Sequence, residues 1–185
     1  MSKALINLIA KFPPPTKLEI APNWTNLEDA LGVEYPSTFK DFIDTYGGCV
    51  WFDKLSPFIR QGRTKKEARE FPAVVVEMCD IDRGNTWGVI DGKFQQISPP
   101  FYPEPGGLLP FLVDYSGSMY FWDTESDEPE QWPVIQSEGG SMTRHPAMSI
   151  PEMILKWLDR DPVMIQMWGD VEQISQERLR ITEVK

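Results

Sequence analysis

Leu5, Leu8, Ile9 and Phe12 recur at helical spacing, and a triple proline at 13 to 15 ends the stripe. The stretch "NWTNLEDALGVEYPSTFKDFIDTYGG" predicts two helices in tandem. Asn23 or Thr25 caps the first, Trp24, Leu27 and Leu31 point inward, and Gly32 ends it. Pro36 suits the first turn of the second, whose apolar face runs through Tyr35, Phe39, Phe42, Ile43 and Tyr46 to the exit at Gly47-Gly48. The period then changes. "CVWF", "AVVVEM", "TWGVI", "FQQI", "LLPFLVD", "SMYFWD" and "WPVI" are short β-prone runs separated by Gly, Pro, Asp and Asn. Asp91-Gly92 and Ser116-Gly117 read as tight hairpin turns within them. "SIPEMILKWL" restores the helical period, with Ser149 and Glu152 spaced as a capping box. A weaker helical pattern continues through Val163, Met164, Met167, Trp168, Val171, Ile174 and Leu179. Helices at both ends of a strand-rich middle predict a single α+β domain over residues 1–185. Its expected sheet is antiparallel, of about five to six strands with meander connections. The core is expected over about 24–158, preceded by an N-terminal helix and proline linker (1–16) and followed by a helical extension (160–185).

The chain has 185 residues, enough for one sizeable core, and its 17 prolines and 13 glycines imply many turns. Charge changes the picture more. The formal net charge is −10, which argues against nucleic acid and anionic membranes as partners and would steer a basic protein toward the surface. No apolar run approaches the length needed to cross a bilayer. The N-terminal "MSKALINLIAKFPPP" is interrupted by Asn7 and Lys11 and lacks a small-residue cleavage site, so the expected compartment is the cytoplasm. The two cysteines, Cys49 and Cys79, fit neither a disulfide framework nor a zinc spacing and read as small buried apolar residues.

Candidate chemistry centres on "DYSGSMYFWDTESDEPEQWPV", where Asp123, Glu125, Asp127, Glu128 and Glu130 crowd one turn. The turn lacks the glycine and fixed spacing of a calcium loop. Asp80-Ile81-Asp82 has a two-carboxylate spacing that can hold a divalent ion, but it also suits a solvated turn at a strand end. The single histidine, His145, sits in a loop-like stretch without an evident nucleophile, and neither glycine-rich nucleotide fingerprint is present. A metal-dependent enzyme using paired carboxylates stays the least favoured reading; no cofactor is expected. The aromatic residues Trp51, Tyr120, Phe121, Trp122 and Trp132 alternate along strands. They form either a second core face under a helix or, where they face out, a binding surface. Charge and position nominate Trp51, Asp114, Trp122, Asp123, Glu125, Asp127, Glu128, Glu130 and Trp132 for contact with a partner. Beside this acidic background, "RQGRTKKEAREF" at 60 to 71 is an unusual basic insert.

The order of motifs resembles the SUKH superfamily, the relatives of the fungal cell-wall-assembly regulator. "WTNLEDALGVEYPSTFKDFIDTYGG" is similar to its opening helices, "LLPFLVDYSGSMYFWDTESDEPEQWPVI" to its hairpin and later Trp-Pro-Val, and "SIPEMILKWL" to its closing helix. The resemblance implies a non-catalytic binding protein. Many bacterial members look like immunity proteins that block a cognate toxin, often a nuclease, whose active face is basic. A regulatory adaptor that binds a host signalling protein is the alternative it implies.

Overall fold

A computed structural model of the chain describes residues 1–16, 22–59, 62–84, 86–90, 93–173 and 181–182. Helix α1 (Lys3–Lys11) starts where the Ser2 hydroxyl accepts from the Leu5 amide, and it buries Leu5 and Leu8. In α2 (Trp24–Leu31) Asn23 is the cap, and Gly32 closes the helix at φ 69°, in the left-handed region that a Cβ resists. Helix α3 (Ser37–Tyr46) has Pro36 at its cap position, which supplies no side-chain hydrogen bond. Phe39, Phe42, Ile43 and Tyr46 form its buried face, as the periodicity predicts.

The strands are β1 (Val50–Trp51), β2 (Leu55–Pro57), β3 (Thr86–Ile90), β4 (Lys93–Ile97), β5 (Leu108–Asp114), β6 (Met119–Asp123), β7 (Val134–Glu138), β8 (Ser141–His145) and β9 (Ile181–Thr182). Among the described residues they form one nine-stranded sheet in the order β4-β3-β8-β7-β6-β5-β2-β1-β9. The α+β class holds, with more strands than the sequence suggests. The short β2, the polar β8, whose pattern carries little alternation, and the two-residue β9 are the additions that join the predicted strands. The sheet is also mixed, not wholly antiparallel. β3 lies parallel to β8 with Trp87 opposite Ser141, a neighbour relation that the long connection from β4 to β8 permits. The Ser116-Gly117 turn is present, with Gly117 at φ 101° and the Asp114 amide donating to the Ser118 carbonyl at 2.8 Å. The predicted turn at 91 and 92 lies outside the described residues, although β3 and β4 on either side of it pair antiparallel. The tail has helix α6 (Pro162–Trp168), a 3-10 turn (Val171–Gln173), then β9 paired with β1, so its end returns to the sheet. The helical expectation for Ile174 and Leu179 lies outside the described residues.

One expected strand is a helix. "AVVVEM" belongs to α4 (Lys65–Asp82), opened by Thr64 and Glu67 as a capping box. Three consecutive valines have high β propensity, yet Ala68, Phe71, Val75, Cys79 and Asp82 are buried at spacings of three and four, which fits only a helix. Tertiary burial overrides propensity here. Pro72 sits inside this helix, has no N–H to offer the Ala68 carbonyl, and works against the geometry around it. Replacing it by alanine is expected to stabilise the protein by ~1–2 kcal/mol, read as a higher urea midpoint with an unchanged slope.

This helix decides where the aromatic residues go. Helices α3 and α6 cover one face of the sheet: Phe39 meets Trp122 at a centroid distance of 5.0 Å, and the Tyr120 hydroxyl reaches the Met167 carbonyl. α4 lies on the opposite face, where the Cys79 thiol meets the Leu108 carbonyl at 3.7 Å and Asp82 bonds to Ser137. With both faces covered, Tyr120, Phe121 and Trp122 are all buried in succession. Helix α5 (Ile150–Leu158), with the expected Ser149–Glu152 capping box, packs against α1 and buries Met153, Ile154 and Trp157.

A tight turn joins β1 to β2. Phe52 and Asp53 both have positive φ, at 59° and 52°, an uncommon conformation for an aromatic residue. Phe52 is held there by ring contacts with Phe12, Trp51 and Trp157.

Candidate partner-binding surface

The acidic turn connects β6 to β7 and is built from its own hydrogen bonds. The Asp123 amide donates to the Pro133 carbonyl at 3.0 Å, closing the loop at its neck. Inside it, the Trp132 indole donates to the Ser126 carbonyl at 2.6 Å and the Glu128 amide to the Ser126 hydroxyl at 3.2 Å. Pro129–Gln131 form a 3-10 turn, and the Thr124 hydroxyl ties the loop to the Gly107 carbonyl at 2.8 Å.

Most of the nominated carboxylates are engaged within the fold. Asp114 is buried, its side chain 0% exposed: Oδ1 accepts from the Ser116 amide and hydroxyl, both at 2.6 Å, and Oδ2 pairs with Lys54 at 3.1 Å. Asp123 pairs with Arg144 of β8, so the expected loop around His145 is a strand that supplies a cation to the turn. Glu128 accepts from the Gln131 side chain. Glu130 accepts from the Thr38 amide at 3.1 Å and from its hydroxyl at 2.8 Å, and so caps α3 where Pro36 cannot. Partial burial raises the Glu130 carboxyl, but hydrogen bonds from Ser37 and Thr38 outweigh it, and its pKa lies below the ordinary value of 4.5. Among the described residues, Glu125 and Asp127 are exposed and make no side-chain ion pair.

A lowered carboxyl pKa stabilises the folded state above the ordinary value, and that stability is lost as pH falls through the folded-state value. Glu130→Gln is therefore expected to lower stability by ~1 kcal/mol at pH 7, the usual worth of a helix cap. The gap between variant and wild type should begin to narrow near pH 4.5 and close as pH falls through the lower folded-state value, in urea titrations at stepped pH.

The three nominated tryptophans are core residues, at 1% (Trp51), 5% (Trp122) and 5% (Trp132) exposure. Trp51 sits among Phe12, Phe42, Tyr46 and Phe52. Trp122 stacks on Phe111 at 4.3 Å with the rings 8° from parallel. Trp132 forms the wall between two surface depressions. The smaller, of about 250 Å³, lies between the N-termini of α3 and α5 and holds Glu130 and Glu152.

The larger depression, of about 440 Å³, is a groove between the α2–α3 connection, the loop 102–107 and the acidic turn. Its walls are Val33, Tyr102, Pro103, Pro105, Leu109 and Trp132, and its charged residues are Glu34, Glu104 and Asp127. Sequence reasoning missed Glu34 and Glu104. "YPEPGG" reads only as a turn, and nothing local shows that it faces "GVE" of the α2–α3 connection across the acidic turn. Gly107 shapes this wall, since a Cβ there would lie 2.5 Å from the Phe101 carbonyl carbon and 2.7 Å from the Tyr102 nitrogen.

The other titratable groups are also structural. His145 is 7% exposed with Nε2 3.4 Å from the Gln136 side-chain oxygen, and burial lowers its pKa. Burial pushes the Cys79 thiol up to about 12, so it is protonated at neutral pH. Asp80 and Asp82 lie in the last turn of α4, not at a strand end; Asp80 pairs with Arg83 while Asp82 is buried and its carboxyl raised by desolvation. Among the described residues, no three His, Cys, Asp or Glu side chains come together as metal ligands. Among the described residues, no helix is long and apolar enough to cross a membrane. The basic segment opens α4 and packs beside α2, where Lys65 and Arg69 line a shallow cleft with Asn26 and Asp29.

No curated protein and no solved structure matches the chain. The profile of the SUKH_6 family, described as SMI1-KNR4 cell-wall, matches residues 22–147, from the cap of α2 past the end of β8. That segment carries the tandem helices, α4, the acidic turn and the groove, and the chain belongs to this SUKH family.

Proposed function

We propose that this chain is a non-catalytic immunity-type protein that binds a cognate basic toxin domain, of the nuclease kind, and blocks it. The observation that carries the reading is a SUKH fold with a formal net charge of −10. A nuclease presents a basic face because its substrate is polyanionic, and an acidic protein occupies the same field. Complementary charge of this kind raises association rates by roughly 10 to 10³-fold. The non-catalytic part rests on the state of the reactive groups. Cys79 is buried and protonated at neutral pH, burial lowers the His145 pKa, and four of the six carboxylates in and beside the turn (Asp114, Asp123, Glu128 and Glu130) hold turns, strands or a helix end. Calorimetric titration with Mg²⁺, Mn²⁺ and Ca²⁺ is expected to give no heat of binding at millimolar metal; saturable binding would reopen a metal-dependent enzyme.

Co-expression with the product of the adjacent upstream gene tests the reading. Rescue of growth with recovery of a complex supports it; a toxic neighbour that is neither bound nor neutralised overturns it. The family's cell-wall description favours a second reading, a regulatory adaptor for a host signalling protein. That reading predicts a reproducible, identified non-toxin partner in native lysate and no toxin gene alongside.

A further inference from the structure

We propose that the groove walled by Val33, Tyr102, Pro103, Pro105, Leu109 and Trp132 receives an extended basic segment of the protein partner, one that sets an apolar side chain between Arg or Lys residues. The proposal rests on the immunity reading and names its docking site.

Charge is the first argument. Glu34, Glu104 and Asp127 are the charged residues of the lining, and no Lys, Arg or His is among them. The nearest cations are already engaged: Arg83 with Asp80 and Glu104, Lys40 with Glu28 at 2.9 Å and with Glu34 at 3.7 Å. Asp127 makes no ion pair among the described residues, and Glu34, whose one contact is the 3.7 Å approach of a Lys40 already held by Glu28, is 75% exposed, so Asp127 and the outer side of Glu34 face an incoming cation.

Shape is the second. A depression of about 440 Å³ that mixes apolar walls with three carboxylates has the size of a binding site. It takes two or three side chains of an extended segment, with the apolar one against those walls. The walls are also stiff. Pro103, Pro105 and Pro129 restrict the backbone, Gly107 is packed against the Phe101–Glu104 turn, and the Tyr102 hydroxyl is fixed to the Leu31 carbonyl at 3.2 Å. A preformed groove loses little conformational freedom on binding. Standard interfaces bury about 1,600 Å² in total, so the groove would serve as the anchoring part of a larger contact.

The test compares two double variants with equal charge change. Glu34→Gln with Asp127→Lys alters the rim, and Glu70→Gln with Glu138→Lys alters exposed carboxylates elsewhere on the surface. All four positions are exposed, and matched melting temperatures establish that each protein folds. Binding is read with two probes: the toxin domain from the neighbouring gene, and a fluorescein-labelled acetylated peptide of alternating Arg and Leu. The rim variant is expected to lose at least ~10-fold in affinity for both, and the control less than threefold. Equal losses in the two variants would mean that only long-range attraction acts, and would overturn the groove. Full toxin binding by the rim variant would overturn the groove while leaving the immunity reading intact. Wild type that binds the peptide at the rim but never the toxin would sink the immunity reading alone.

Discussion

Trp122→Ala is expected to destabilise the protein by ~3–5 kcal/mol and to lower its melting temperature by ~10 °C or more. Trp122 is 5% exposed and lies at the centre of an aromatic cluster. Phe111 stacks on it at 4.3 Å, Phe39 meets it edge-on at 5.0 Å, and Tyr35 and Trp132 lie at 5.9 and 6.0 Å. Removing the indole leaves a cavity that faces α3, β5 and the neck of the acidic turn at once. Such a site collapses poorly because three elements share it. The outcome separates two roles of the residue. A partner anchor would fold normally as alanine and lose only affinity; a core residue loses stability in the isolated protein, measured without any partner.

The second large effect is at Asp114. Asp114→Ala is expected to cost ~2–4 kcal/mol in urea unfolding. The substitution removes two hydrogen bonds that shape the β5–β6 hairpin and leaves Lys54, 23% exposed, beside an empty site. Partial solvent access to Lys54 keeps the effect below that of a fully buried ion pair. Asp114→Asn should recover about half of the loss, because an amide oxygen still accepts from Ser116 while the charge opposite Lys54 is gone. Equal losses for Ala and Asn would place the whole effect in the ion pair.

Much of the fold was legible from local chemistry. The caps at Asn23 and Ser149, the exit at Gly32 and the Ser116-Gly117 turn all work over a few residues, and each is present. The one strand that becomes a helix also turns on local chemistry. Val74, Val75 and Val76 suggest a strand, while Thr64 and Glu67 mark a helix start and the burial spacing from Ala68 to Asp82 fits a helix. That single difference propagates. With α4 as a strand, the sheet has a wet face and its tryptophans look outward; with α4 as a helix, the second face is covered and the tryptophans are core. The site was less legible for the same kind of reason. Asp114 and Glu130 look like members of an acidic patch, yet one is buried against Lys54 and the other caps a helix 92 residues away in sequence. Glu34 and Glu104 line one groove because the α2–α3 connection and the 102–107 loop come together in the fold, which no local pattern records.

Titrating the purified chain against the activity of the toxin domain encoded beside its gene is the decisive measurement. Binding without catalysis predicts that toxin activity falls linearly to zero at a fixed stoichiometric ratio, with both chains recovered intact in one complex. Inactivation at far fewer chains than toxin molecules, or undiminished activity at any ratio, would contradict it.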